Sequence, residues 1–162
     1  MTREEISMTN KVQQLLSDLK NTDSATRDHA THELWQIWYG EAGKLAEDQL
    51  DQGTRLMGEN LLDEAGKVFK SLIKNYPDFA EAYNKLATLL FMKGDYSESV
   101  FECERTLKLN PHHFGALNGM GMCLYQLARY DEALASFQRA LKIQPYADIN
   151  REYVARCRGL LN

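Results

Sequence analysis

Apolar residues recur at intervals of three and four along most of the chain, and this spacing predicts a molecule built almost entirely of α-helices. Near the amino terminus, Met8, Val12, Leu15 and Leu19 form the apolar stripe of one helix. A second helix is predicted over 24–39, after a polar turn. We therefore expect the chain to begin with a helical hairpin.

Three prolines, Pro77, Pro111 and Pro145, stand 34 residues apart and close similar stretches of sequence. A fixed period of this length indicates stacked structural repeats, each of which buries its apolar face against its neighbours. When each proline is set at position 32, the repeats are 46–79, 80–113 and 114–147. First helices are then predicted near 45–58, 80–92 and 114–127, and second helices near 63–75, 97–109 and 131–143.

Small residues recur at equivalent positions of the repeats, where two helices are expected to cross closely. The first helices contribute Gly53, Ala87 and Gly121, and the second helices contribute Ala65, Ser99 and Ala133. The residues expected to fill the space beside each crossing are Phe69, Cys103 and Phe137.

The turns between helices carry candidate capping signals. Asp95 with Glu98, and Asp78 with Glu81, have the three-residue spacing of a capping box at a helix start. Gly94 is expected to adopt the left-handed backbone that ends a helix.

These motifs resemble the tetratricopeptide repeat family over 46–147. The resemblance implies an all-α, right-handed superhelical α-solenoid of helix–turn–helix repeats. We predict an amino-terminal hairpin (1–44), three repeats (45–147) and a carboxy-terminal capping helix (148–162). In that helix Ile149, Tyr153, Cys157 and Leu160 are expected on the apolar stripe.

The amino-terminal hairpin is less regular than the repeats. With Arg27 and Ala30 it looks like a single HEAT-type unit, or it is an irregular hairpin that covers the polar first repeat. One of Trp35 and Trp38 is expected to pack against 45–57 while the other borders solvent.

The resemblance also implies a binding surface, because first helices line the concave groove in the family. The positions that point inward there are carried over to Leu50, Thr54, Met57, Asn84, Thr88, Phe91, Met92, Asn118, Met122, Tyr125 and Gln126. This set is rich in methionine and aromatic residues and poor in charge, which is typical of contact with an apolar protein segment. The alternative interpretation is that the hairpin or the superhelix itself covers several of these residues.

The family's chaperone-binding members grip a carboxy-terminal carboxylate with lysine, arginine and asparagine side chains. The corresponding residues here are Leu50, Thr54, Lys85, Gly115 and Gly119, and none matches. No binding of chaperone tails through such a clamp is expected.

The predicted function is non-catalytic protein–protein recognition, as an adaptor, scaffold or assembly factor. The alternative is structural self-association of the array, for example as a homodimer. RNA binding by a related helical repeat is disfavoured, because such repeats have a longer period and are usually basic, whereas this chain has a net charge of −4. No membrane partner is expected.

Candidate chemistry is sparse, and we expect no catalytic residues, no cofactor and no metal. His29 and His32 share one helix face but have no third ligand nearby, and His112 and His113 are expected in a solvated turn. Cys103 is expected to be a buried, inert thiol. Three widely spaced cysteines and the absence of an apolar leader predict a soluble protein in a reducing, intracellular compartment.

Overall fold

The computed structural model describes residues 2–162, and these form nine α-helices without a strand. The helices are α1 (Arg3–Asp18), α2 (Ser24–Gly40), α3 (Lys44–Gly58), α4 (Leu62–Asn75), α5 (Ala80–Lys93), α6 (Tyr96–Leu109), α7 (Phe114–Gln126), α8 (Tyr130–Ile143) and α9 (Asp148–Leu161). Their bounds agree with the predicted helices to within a residue or two. The predicted all-α repeat solenoid is confirmed.

The turn between the two helices of each of the three repeats has the same backbone geometry. Asn60, Gly94 and Ala128 stand 34 residues apart, and all three have positive φ angles of 61°, 81° and 58°. The predicted left-handed conformation of Gly94 is therefore confirmed. Asn and Ala adopt the same conformation at the equivalent turns, where Ala carries a steric cost that Gly avoids.

The helix crossings are as close as the small residues predict. A Cβ atom placed on Gly121 would lie 2.7 Å from Cζ of Phe137, and one on Gly53 would lie 2.5 Å from Cε1 of Phe69. Both phenylalanines are fully buried. Each ring therefore packs directly on the backbone of the facing helix.

The first helices α3, α5 and α7 pack on one another and form an inner layer, while α4, α6 and α8 pack outside them. The core consists of two clusters along this double layer, one centred on α3 to α5 and the other on α6 to α9. The inner layer positions the residues that were predicted to bind a partner.

Both predicted capping boxes are wrong. The side chain of Asp95 makes no capping hydrogen bond to α6. The first turn of α5 is preceded by Phe79, whose ring is buried, and Glu81 points into the interior. The spacing was compatible with a capping box, but the side chain of Glu81 makes long-range contacts in the interior instead.

The amino-terminal hairpin lies along the edge of the solenoid where one repeat connects to the next. The Arg27 guanidinium stacks over the ring of Tyr146, Trp38 packs against Phe114, and Ala42 borders the turn that contains Pro77. Helix α2 and the residues that follow it thus run past three successive inter-repeat turns, in the direction opposite to the order of the repeats.

This placement corrects the prediction for the two tryptophans. Both indole rings pack against the start of α7, with ring centroids 5.4 Å (Trp35) and 5.0 Å (Trp38) from that of Phe114. The 113–114 turn therefore takes the place expected for 45–57, whereas the expectation that one ring borders solvent holds for Trp35, which is half-buried while Trp38 is buried.

The inward face of α9 agrees with the prediction at Tyr153 and Cys157 but differs from it at Ile149 and Leu160. Asn150, Val154 and Cys157 are buried, whereas Ile149 and Leu160 are about half exposed. The interior accepts Asn150 because its side-chain oxygen accepts a hydrogen bond from Asn118 at 2.6 Å.

Candidate interaction groove

The inner layer presents most of the predicted binding residues at its surface. Thr88, Met92 and Gln126 are exposed, and the half-buried members are Thr54, Met57, Phe91, Asn118, Met122 and Tyr125. We call the surface formed by these nine residues and Asn84 the groove face.

Leu50 does not belong to this surface. Its side chain is fully buried in the core cluster of α3 to α5. It offers no side-chain area to a partner, because helix α4 and the start of α5 cover the face of α3 on which it lies. The position transferred from the family is here part of the core.

Aromatic pairs support the groove face near the carboxy-terminal ends of α5 and α7. The ring of Phe91 lies 5.4 Å from that of Tyr96, and the ring of Tyr125 lies 5.4 Å from that of Tyr130, one period later. Tyr125 also packs edge-on against Tyr153 of α9, at 5.2 Å. These contacts hold the rings in place, so that little side-chain entropy would be lost on binding.

A cleft of about 270 Å³ opens between α5 and α7 within the groove face. Five predicted residues line it together: Asn84, Thr88, Phe91, Asn118 and Met122. The remaining lining residues, which the sequence did not single out as binding residues, are Ala87, Ser99, Cys103, Gly115 and Gly119. Thr54, Met57, Met92, Tyr125 and Gln126 lie outside it.

The amino-terminal hairpin bounds the groove face at one end without covering the cleft. Trp35 packs on Gly115 so closely that a Cβ atom there would lie 2.7 Å from the indole ring. Beside it, the Lys85 ammonium lies 5.0 Å from the centre of the Tyr39 ring. The hairpin therefore occupies the starts of α5 and α7, and leaves the middle and end of these helices accessible.

A buried polar pair fixes this arrangement, and it corrects the prediction of a solvated His112–His113 turn. His112 is exposed, but His113 is fully buried and its Nε2 lies 2.8 Å from the carboxylate of Glu81, which is also fully buried. The Nδ1 atom of His113 accepts a hydrogen bond from the amide of Ala116, so the ring caps α7. Nε2 then carries the proton and donates to Glu81.

Trp38 stacks on the His113 ring at a centroid distance of 4.8 Å and excludes water from the pair. Asn84 completes the network by donating to the second oxygen of Glu81 at 3.0 Å. No repeated motif in the sequence links Glu81 to His113; the only available signal is an acidic residue near the start of the preceding repeat, 32 positions before the histidine.

All three cysteines are buried and unpaired by disulfides, which confirms the expected burial of Cys103. Burial raises the pKa of the Cys103 thiol, and also raises the pKa of Cys123, so both favour the protonated form. His29 and His32 are both exposed on α2. Within residues 2–162, no three His, Cys, Asp or Glu side chains come together in a way that could hold a metal ion.

Comparison with known proteins finds the same type of repeat in two segments of this chain. Residues 80–113 and 115–146 each match a family model of the tetratricopeptide repeat. A TPR repeat-containing protein of Rhizobium etli is 49% identical over 41 residues. That match spans 25% of this chain and 20% of the relative's length.

Solved structures resemble the fold over a larger part of the chain. The first TPR of Spaghetti (RPAP3), bound to an HSP90 peptide, has a TM-score of 0.70 at 17% identity and covers 72% of this chain and 92% of its own. The Arabidopsis OM64 TPR domain has a TM-score of 0.68 at 20% identity, with coverages of 71% and 95%. The TPR2B domain of yeast Sti1, in complex with a pHsp70, has a TM-score of 0.66 at 16% identity, with coverages of 71% and 97%.

Stacked helical hairpins with a lined inner face define a helical-repeat protein of the kind that presents an extended surface to other proteins. The two matched segments are tetratricopeptide repeats, and the fold around them is the one that the compared TPR domains share. No helix among the described residues combines the length and the apolar character that crossing a membrane would require.

Proposed function

We propose that this chain is a non-catalytic recognition module that binds an extended, mainly apolar segment of a partner protein on its groove face. The observation that carries the proposal is the cluster of partly exposed apolar side chains around the α5–α7 cleft, which the hairpin leaves uncovered. We take residues 46–79 as the first of three repeats, with 1–44 as the flanking hairpin and 148–162 as the capping helix.

The chemistry of the groove face supports an apolar partner. No charged side chain lines the α5–α7 cleft among the described residues. Lys85, at one of the carboxylate-clamp positions, faces Tyr39 instead, and Gly115 lies beneath Trp35. Peptides accompany two of the similar domains in their structures, but we expect this chain to recognise side chains and not a terminal carboxylate.

The test uses a partner segment identified by affinity capture and then synthesised. Phe91→Ala and Tyr125→Ala should each weaken its binding by about 1–3 kcal/mol, roughly ten- to hundredfold, because interface energy concentrates in a few large anchors. Binding titrations at low and high salt should differ little, since few groove charges are available for screening.

Phe101→Ala is the matched control, because Phe101 is an exposed aromatic residue (57%) on the outer helix α6. Circular dichroism melts must show each variant folded, particularly for Tyr125, which packs on two other tyrosines. Full binding by the Phe91→Ala, Tyr125→Ala double variant would contradict the proposal. It would move the site elsewhere, for example to the cleft of about 850 Å³ between α1 and the turn at 109–112. A concentration-dependent dimer in sedimentation would instead favour self-association.

A further inference from the structure

We propose that the α5–α7 cleft is an anchor pocket that receives one large, uncharged apolar side chain, of about the size of phenylalanine, from the bound segment. This inference rests on the proposed function and names the feature of the partner that the groove face would select. The pocket exists because two positions beside α5 and α7 lack the aromatic rings that stand at the equivalent positions beside α7 and α9.

The equivalent place between α7 and α9 is filled by an aromatic pair. Phe137 is fully buried and stacks on Tyr153 with a centroid distance of 4.9 Å. The residues one period (34 positions) before Phe137 and Tyr153 are Cys103 and Gly119. A thiol and a hydrogen atom thus replace two aromatic rings.

The space that these rings would occupy is open to the groove. A Cβ atom on Gly119 would meet only the sulfur of Cys103, at 3.8 Å. The resulting cleft of about 270 Å³ exceeds an engineered apolar cavity of about 150 Å³ that binds benzene. One phenyl-sized side chain therefore fits without moving the helices.

The interior of the pocket favours an uncharged occupant. Ala87, Cys103 and Met122 contribute apolar walls. The one hydroxyl at the base, that of Ser99, already donates to the carbonyl of Ala87 at 2.7 Å and accepts from the thiol of Cys123 at 3.1 Å. A charged side chain would lose its hydration there without gaining a partner.

The rim carries acceptors for the backbone that flanks the anchor. Asn84, which is only 8% exposed, uses its amide nitrogen to donate to Glu81, and Asn118 uses its own to donate to Asn150. Within residues 2–162, no hydrogen bond reaches the side-chain oxygen of either residue. Both residues line the pocket, and their side-chain oxygens are free to accept N–H groups from an extended segment.

The experiment selects binders from random dodecapeptides displayed on phage, using the full chain, and measures the enriched peptides as synthetic ligands by calorimetry. We expect the enriched sequences to share one large apolar residue, whose replacement by Ala or Asp weakens binding at least tenfold. Two variants fill the pocket. Gly119→Phe adds a ring from α7, and the double variant Ala87→Gly, Cys103→Phe recreates the Gly–Phe pairing of the other two repeats.

Both filled variants should lose at least tenfold in affinity while keeping the wild-type circular dichroism spectrum. Gly159→Phe is the matched control, because it makes the same change at an open position of α9 where a Cβ atom would meet nothing within 4 Å. Wild-type affinity in both filled variants, or enrichment of no apolar-anchored peptide, would overturn the anchor pocket. If Phe91→Ala abolishes binding of the same peptides while the filled variants bind normally, the pocket fails and the proposed groove remains.

Discussion

Single side-chain positions decide how closely the paired helices approach. Gly121 leaves room for the ring of Phe137, whereas a Cβ atom on Gly119, two residues earlier on the same helix, would make only an ordinary van der Waals contact with the sulfur of Cys103. Two glycines of one helix therefore have opposite physical roles, which composition or helix propensity alone would not separate.

The same substitution at these two glycines should have opposite effects. We expect Gly121→Ala to destabilise the fold by about 1–3 kcal/mol through overpacking against Phe137. Gly119→Ala should stabilise it by about 0.5–1 kcal/mol, because alanine lowers the backbone entropy cost of a helix. Urea unfolding followed by circular dichroism measures both, and equal effects would contradict the assigned helix crossing.

The left-handed turn residues offer a second matched pair. Ala128 adopts the same backbone conformation as Gly94, at a steric cost of about 1 kcal/mol. Ala128→Gly should therefore raise the free energy of unfolding, and Gly94→Ala should lower it by a similar amount. Thermal melts of the two variants provide the measurement, and a loss of stability in Ala128→Gly would show that the strain is absent.

At the level of elements, the hairpin α1–α2 is held by a polar pair that it helps to bury. Trp38 covers His113, His113 caps α7, and Glu81 lies at the start of α5. One network thus joins the hairpin to two successive repeats.

Removal of the imidazole should be costly, while its neighbour should be dispensable. We expect His113→Ala to lower the free energy of unfolding by about 3 kcal/mol or more, since it leaves the carboxyl of Glu81 buried without its partner and removes a helix cap. His112→Ala should change stability by less than about 0.5 kcal/mol, as is usual for an exposed position. Chemical denaturation distinguishes the two, and similar values for both would contradict the buried pair.

At the scale of the whole molecule, the amino-terminal hairpin (1–44), which we call the strap, lies along the inter-repeat turns and packs against the repeats. Its buried residues, among them Leu34 and Trp38, share a cluster with Phe114 at the start of α7. The groove face and the strap therefore occupy different parts of the first helices, and binding on the groove face does not require the strap to leave.

We expect Trp38→Ala to cost about 3–5 kcal/mol, the usual range for truncation of a buried aromatic residue. Amide hydrogen exchange should increase in α1, α2 and the turn at 110–113 more than in α8. Phe101→Ala, at an exposed ring, serves as the control and should leave exchange unchanged. Protection that persists throughout the hairpin in Trp38→Ala would show that other contacts hold the strap.

The predicted groove residues came from a family register that is local in sequence, and most of them do lie on the inner layer. Leu50 is an exception because α4 and α5 enclose it. Its burial is caused by these neighbouring helices and not by its own position in the repeat. The sequence also did not reveal the pocket at Cys103 and Gly119, because its walls come from three helices whose relation only packing defines.

Helix positions, turn positions and the repeat period could be determined from the sequence, because they depend on contacts within a few residues or within one hairpin. The spacing of Pro77, Pro111 and Pro145 and the small crossing residues were enough for that. The placement of the hairpin, the burial of Glu81 and His113, and the open pocket depend on contacts between separate helices, for example between Glu81 and His113, 32 positions apart, and between Trp38 and His113, 75 positions apart. Only the tertiary structure decided these, because whether a polar side chain is solvated or buried is set by the groups that pack against it from distant parts of the chain.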